Sequence, residues 1–141
     1  MSTLEEHVDV DVSIDQAWEG IHQVESYPRF MEGVRDARRE APGRAQLDVE
    51  AGGQTRQFEA EVADRGERLM HWHTTAPDLT GSFSLQPLAR NRTRVQARIE
   101  YDPDTIRETF GGPKGFAQAN AIERLVRSDL EQFKEYVEQG R

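Results

Sequence analysis

Few side chains in this sequence have the type and spacing to do chemistry. His71 and His73 stand two apart in a stretch whose apolar residues alternate, so on a strand both imidazoles leave the same face. Two such histidines could hold zinc if a neighbouring strand supplied a third ligand. That face is opposite Trp72 and reads as solvent-facing polarity, so no metal is expected. Arg56, Arg38 and Glu6 are the charges placed to approach the apolar face of their strands. Tyr101 ends a strand pattern, where its hydroxyl could act as a general acid or simply meet water at a rim. Trp18 and Trp72 sit beside the expected core, as packing or as a ring wall for a flat ligand. Gly111-Gly112-x-x-Gly115 resembles a phosphate loop only superficially, because no buried parallel strand precedes it and no GK[ST] ending follows. It reads instead as a hinge or lid, with Phe110 and Phe116 flanking it. No G-x-S-x-G or H-E-x-x-H stands anywhere in the chain, and there is no cysteine to act as nucleophile or thiolate ligand.

The frame that must position these residues has 141 residues, enough for one ordinary domain over 1–141. Its net charge is −8, a poor balance for binding nucleic acid, which needs a basic face. No apolar run approaches the roughly 20 residues of a membrane span. The first residues, Met1-Ser2-Thr3-Leu4-Glu5-Glu6, lack the basic start and apolar stretch of a signal peptide, so a cytoplasmic location is expected. Only 35% of residues are apolar, close to the composition of disordered chains, so order must be argued from pattern.

The pattern is consistent. Leu4, Val8, Val10 and Val12 alternate with Glu5, His7, Asp9 and Asp11, predicting a half-buried strand. Ser13 and Gln16 form a capping-box pair before Ile14, Trp18 and Ile21, predicting a helix over about 14–23. Tyr27-Pro28-Arg29-Phe30-Met31 suits a second short helix with proline in its first turn. Residues 34–40 read as a weak, charged strand. Five further alternating runs follow, ending at Tyr101, with turns at Gly52-Gly53, Gly66 and Ala89–Arg92. Ile122, Val126, Leu130, Phe133 and Val137 then recur at helical spacing. That helix is expected to run from near Pro113 to about Glu138, roughly 35–40 Å at 1.5 Å per residue. The expected inward face of the sheet carries small residues at Ala60, Gly81 and Ala97, which leave room between sheet and helix or let the helix pack close.

This order, β-α-α-β6-α, resembles the START-like helix-grip (SRPBCC, Bet v 1-like) superfamily, and within it the bacterial polyketide cyclase/dehydrase-like branch. The residues that carry the resemblance are Val12-Ser13-Ile14-Asp15-Gln16-Ala17-Trp18 and Tyr27-Pro28-Arg29-Phe30-Met31-Glu32-Gly33-Val34. Gly81-Ser82-Phe83-Ser84-Leu85-Gln86-Pro87-Leu88, Thr93-Arg94-Val95, Tyr101-Asp102-Pro103 and Asp129-Leu130-Glu131-Gln132-Phe133-Lys134 continue it over nearly the whole chain.

The resemblance implies an α+β fold, a curved antiparallel sheet of about seven strands gripping a long C-terminal helix, with a hydrophobic cavity between them. It implies a bound hydrophobic small molecule: a lipid, isoprenoid or polyketide-like compound. The expected ligand-binding residues are Phe58, Met70, Trp72, Phe83, Tyr101, Phe116, Ile122 and Val126. The alternative is a cyclase, aromatase or dehydratase acting on a poly-β-ketone in the same cavity. Arg56 and Tyr101 would then be the candidate catalytic residues, Arg56 as an oxyanion-stabilising cation, although no complete catalytic constellation is visible. A third reading, an interaction module working through its surface, is disfavoured by the charged outer face of the long helix. No cofactor is expected. Partners are a hydrophobic small molecule and, as a possibility the sequence leaves open, a second copy of the chain in a homodimer. Neither nucleic acid nor an integral membrane segment is expected.

Overall fold

The computed structural model describes residues 2–31, 33–51, 54–75, 78–102, 104 and 119–139. In chain order its elements are β1 (Ser2–Val10), α1 (Ile14–His22), a 3₁₀ helix (Val24–Arg29), β2 (Val34–Ala41) and β3 (Arg44–Ala51). β4 (Gln54–Asp64), β5 (Leu69–Thr75), β6 (Asp78–Ala89), β7 (Arg92–Tyr101) and α2 (Ala119–Gln139) complete it. The seven strands form one antiparallel curved sheet in the order β1-β7-β6-β5-β4-β3-β2. Strands β2 to β7 are therefore a meander, and β1 closes on the last of them. Because β1 and β2 stand at opposite edges, the chain between them must cross the end of the sheet, and α1 with the 3₁₀ helix makes that crossing.

Local chemistry explains the crossing. The Gln16 amide donates to Ser13 Oγ at 3.2 Å, so Ser13 caps α1, and Ala17, Gly20 and Ile21 on one side are buried. The last carbonyls of a helix have no partner within it. Here the Gln23 amide donates to the Gly20 carbonyl, the buried Tyr27 hydroxyl to the Ile21 carbonyl at 2.6 Å, and Arg39 to the His22 carbonyl at 2.8 Å. The second short helix differs from expectation: it starts at Val24 and is 3₁₀, with Pro28 late in it. Tyr27 and the Gly20–Gln23 bond turn the chain straight from α1 into it, which leaves no room for a separate first turn at Pro28.

The long helix is described from Ala119, where Leu130, Phe133 and Val137 are buried and Val126 half-buried. Its expected first residues, the glycine-rich loop, Phe110 and Phe116 lie outside the described residues, as do Gly52 and Gly53 between the paired Ala51 and Gln54. The helix lies nearest β1. Arg127 donates to Glu6 at 3.0 Å and to Glu123 at 2.7 Å, tying the first half of the helix to that strand.

Candidate functional site

Residues directly opposite one another in antiparallel strands project from the same face. The pairings Leu4↔Ile99, Ile99↔Gly81, Gly81↔Trp72, Trp72↔Val62, Ala60↔Ala45 and Leu47↔Phe58 therefore define one concave face, running from β1 to β3. Apart from Ala45, which the sequence pattern left unassigned, alternation places these residues on one face as expected. The edge strand is the exception. A register shift between Val34 and Asp36 puts Ala37 opposite Leu47 and Arg39 opposite Ala45, so Arg39, not Arg38, faces inward. Arg38 instead donates to Gln46 at 3.1 Å on the other face. A bulge inserts one residue into the alternation, and each residue after it changes side.

The core on the concave face has two parts. The basal part joins Val10, Ile21, Phe30, Met70, Leu85 and Val95 to Leu130, Phe133 and Val137 of α2. Rings meet here edge-on: Phe30 and Phe133 have centroids 5.1 Å apart at 66°. The distal part has Phe58 and Tyr101 at its centre, with Leu4, Val49, Leu79 and Ile99 against them. Phe58 on β4 and Tyr101 on β7 stand three strands apart in the sheet order, about 14 Å across a flat sheet. Only a strongly curled sheet brings them into one cluster. Among the described residues, no helix side chain joins this distal part.

The expected site residues divide between the two parts. Phe58 and Tyr101 are buried in the distal part, at 6% and 2% exposure. Met70 is buried in the basal part, and Phe83 and Val126 pack partly against it. Trp72 is half-buried between them. Its indole lies over Gly81, where a Cβ would collide with the ring and stand 2.7 Å from the Arg98 carbonyl oxygen. The small residue at 81 is thus occupied by an aromatic ring and leaves no empty volume, a correction to its sequence reading. Ala60 and Ala97 are buried as well. Ile122 lies on α2, and Phe116 lies outside the described residues.

Among the charges, Arg56 is on the concave face opposite Val49, exposed toward the strand end. Glu6 is also on that face, opposite Ala97, held by Arg127. Sequence reasoning placed Glu6 inward but missed Arg127, whose only signal was its spacing one residue after Val126 on the helix. The hydrogen bond to Glu6, then the attraction of the same carboxylate, raises the Arg127 pKa further above its usual value. Burial raises the Tyr27 phenol in turn. His71 and His73 are on the convex face, and His73 pairs with Asp78 at 2.9 Å. Among the described residues no cluster of three or more histidine, cysteine or carboxylate side chains could hold a metal ion.

Tyr101 differs from the other buried hydroxyls. Thr93 donates to the Val12 carbonyl at 3.0 Å and Tyr27 to that of Ile21. The Tyr101 hydroxyl has no hydrogen-bond partner among the described residues, although the residue is 2% exposed. Among the described residues no sealed side-chain oxygen or nitrogen is left without a partner, so this oxygen is open to solvent.

Two concave sites lie away from the distal part. One is a polar groove of about 620 Å³ between α1 and the end of α2, lined by Gln16, Glu19, Gln23, Arg29, Gln132 and Tyr136 among others. The other, about 130 Å³, opens at the base beside His22, Asp64, Arg39 and Met70.

A curled antiparallel sheet closed by a crossing helix at its base and gripping a long C-terminal helix defines the START-like helix-grip class. Within it, residues 1–138 match the family described as polyketide cyclase / dehydrase and lipid transport, and the chain belongs to that family. It is 26% identical over 142 residues to an uncharacterized 17.2 kDa protein of Streptomyces lincolnensis from the melC2-rnhH intergenic region, covering 99% of this chain and 91% of that one. Two solved structures share the fold. The Zhui aromatase/cyclase of a Streptomyces species superposes with a TM-score of 0.76 at 16% identity, covering 98% and 94% of the two chains. A START superfamily protein of Mycobacterium smegmatis gives 0.75 at 20% identity, covering 99% of each. Among the described residues no helix is long and apolar enough to cross a membrane.

Proposed function

We propose that this protein binds a hydrophobic small molecule (lipid, isoprenoid or polyketide-like) against the distal half of the concave face, in the cytoplasm. The observation that supports this reading is the divided core. Leu4, Val49, Phe58, Leu79, Ile99 and Tyr101 bring apolar surface from five strands to one place. Apolar walls with a few polar groups are the usual lining of a small-molecule site. Phe58, Trp72 and Tyr101 form the wall in this reading. Met70, Phe83 and Val126 mark its floor, and Phe116 and Ile122 are the further residues this reading assigns to the ligand. Native mass spectrometry of freshly purified protein tests it. The expected result is a population heavier than the bare chain by one small molecule that organic solvent extracts. A bare chain throughout, even after incubation with lipid extract, contradicts the reading.

A second reading, a cyclase, aromatase or dehydratase acting on a poly-β-ketone at the same place, is favoured by one observation. Arg56 stands on the same face as Phe58 and Tyr101 and could stabilise a developing enolate. Arg56→Ala and Tyr101→Phe are then expected to slow turnover of a poly-β-ketone thioester 10²-fold or so each. Unchanged turnover in both variants removes these roles.

A further inference from the structure

We infer that His22 is a proton-controlled latch: its imidazolium ties the last turn of α1 to the end of β4 beside the base opening, and loss of one ring proton releases it. The latch is separate from the binding reading above, since neither His22 nor Asp64 belongs to the residues assigned to the ligand.

The hydrogen-bond geometry carries the inference. His22 Nδ1 is 2.8 Å from the Trp18 carbonyl oxygen, and Nε2 is 2.8 Å from Asp64 Oδ1. A main-chain carbonyl has no hydrogen to give, and neither has an ionised carboxylate. Both ring nitrogens must therefore donate, and an imidazole donates from both only when it is protonated. A neutral ring has a single N–H. With the hydrogen on Nδ1, the Trp18 bond survives and a lone pair faces the carboxylate. With it on Nε2, the Asp64 bond survives and a lone pair faces the carbonyl. One proton thus decides whether both anchors hold. His73 gives the contrast: among the described residues only its Nε2 is engaged, with Asp78, so a neutral ring completes its bonding.

The surroundings give this proton a mechanical role. His22 ends α1 and Asp64 ends β4, so the pair spans the joint where the crossing helix meets the sheet. The ring packs on Trp18 with centroids 4.3 Å apart, and Arg68 lies over the same indole while pairing with Asp15. His22 and Asp64 stand at the opening of about 130 Å³ whose lining includes the buried Met70. The other charged groups there are Arg39 from β2, bonded to the His22 carbonyl, and Arg44 from β3, 3.8 Å from Glu59. The 3₁₀ helix contributes only the uncharged Val24. Both arginines oppose a charge on the ring, so Asp64 is the group that holds it. The sign follows. The double anchor is present while the ring is charged and is lost as pH rises through the imidazole range.

Hydrogen exchange of the full chain tests the latch. Protection factors for the amides from Gly20 to Gln23 are compared at about pH 5 and about pH 8.5, on either side of the ordinary imidazole range. Expressing exchange as protection removes its intrinsic pH dependence. With the two side chains 26% and 51% exposed the effect is modest, and protection is expected to be about two- to fivefold higher at the lower pH. Asp64→Asn should erase that difference, because a carboxamide donates to a neutral ring as readily as it accepts from a charged one. Equal protection at the two pH values in the unmutated chain overturns the inference. An undiminished difference in Asp64→Asn overturns it too, by placing the titrating group elsewhere. Nitrogen-15 NMR of the His22 ring in the unmutated chain needs no variant. At about pH 5 both ring protons should be visible, slowed in their exchange with water by the two bonds. Ring protons that exchange too fast to be seen overturn the inference.

Discussion

At the scale of single residues, Gly81 and Tyr27 show how little freedom the frame has. Trp72 lies across Gly81, and the Arg98 carbonyl stands behind it, so neither the ring nor the backbone can yield to a methyl group. Gly81→Ala is expected to destabilise the protein by about 1–3 kcal/mol through overpacking, read as a lower denaturant midpoint with an unchanged slope. Tyr27 contributes through its bond to the Ile21 carbonyl, and Tyr27→Phe leaves that carbonyl unpaired at a cost of about 1–3 kcal/mol. The same residue sets an alkaline limit. Burial raises its pKa in the folded state, so the unfolded chain releases this proton first as pH rises past 10. Its contribution is complete below pH 10 and is lost above it. The unfolding midpoint should fall steeply above pH 10 in the unmutated chain and less steeply in Tyr27→Phe.

At the scale of elements, the joint between α2 and β1 is polar where the rest of the grip is apolar. Glu6 is the one carboxylate from β1 on the concave face, and Arg127 crosses from the helix to meet it while bonding Glu123 one turn back. Glu6→Gln is expected to speed amide exchange around residues 123–127 and leave the residues near Phe133 as protected as before, because the basal packing there does not depend on the pair. Added salt should move the unmutated helix in the same direction. Uniform exchange changes along all of α2, or none, contradict this division.

The elements were also the level at which the sequence was most readable. Alternation assigned the concave residues of β3 to β7 because a half-buried strand must expose one face and bury the other. It failed at β2, where the bulge near Val34 reversed Arg38 and Arg39 and the strand is too charged to show the slip. Gly81 read as empty space because the sequence cannot show which ring on a neighbouring strand will cover it. The site was legible only as a list of apolar positions. That Met70 belongs with Phe133, and Phe58 with Tyr101, depends on sheet curl and on where the helix lies.

At the scale of the whole molecule, 35% apolar residues suffice because they are concentrated on one face of the sheet and one stripe of a helix. The convex face carries ion pairs such as Asp9–Arg94 at 2.8 Å and Glu5–Arg98 at 3.0 Å. The base is a closed core crossed by α1. The far end is the apolar cluster around Phe58 and Tyr101. Packing closes the base, and the proposed function places binding at the opposite end of the grip. The most direct test is to record contacts between a bound ligand and the methyl groups of the protein by isotope-filtered NMR, using 2-acetylnaphthalene or a co-purified compound. Contacts to Leu4, Leu79 and Ile99, with none to Leu85, Leu130 or Val137, are the predicted result. Contacts to the basal methyls, or to none on the concave face, contradict it.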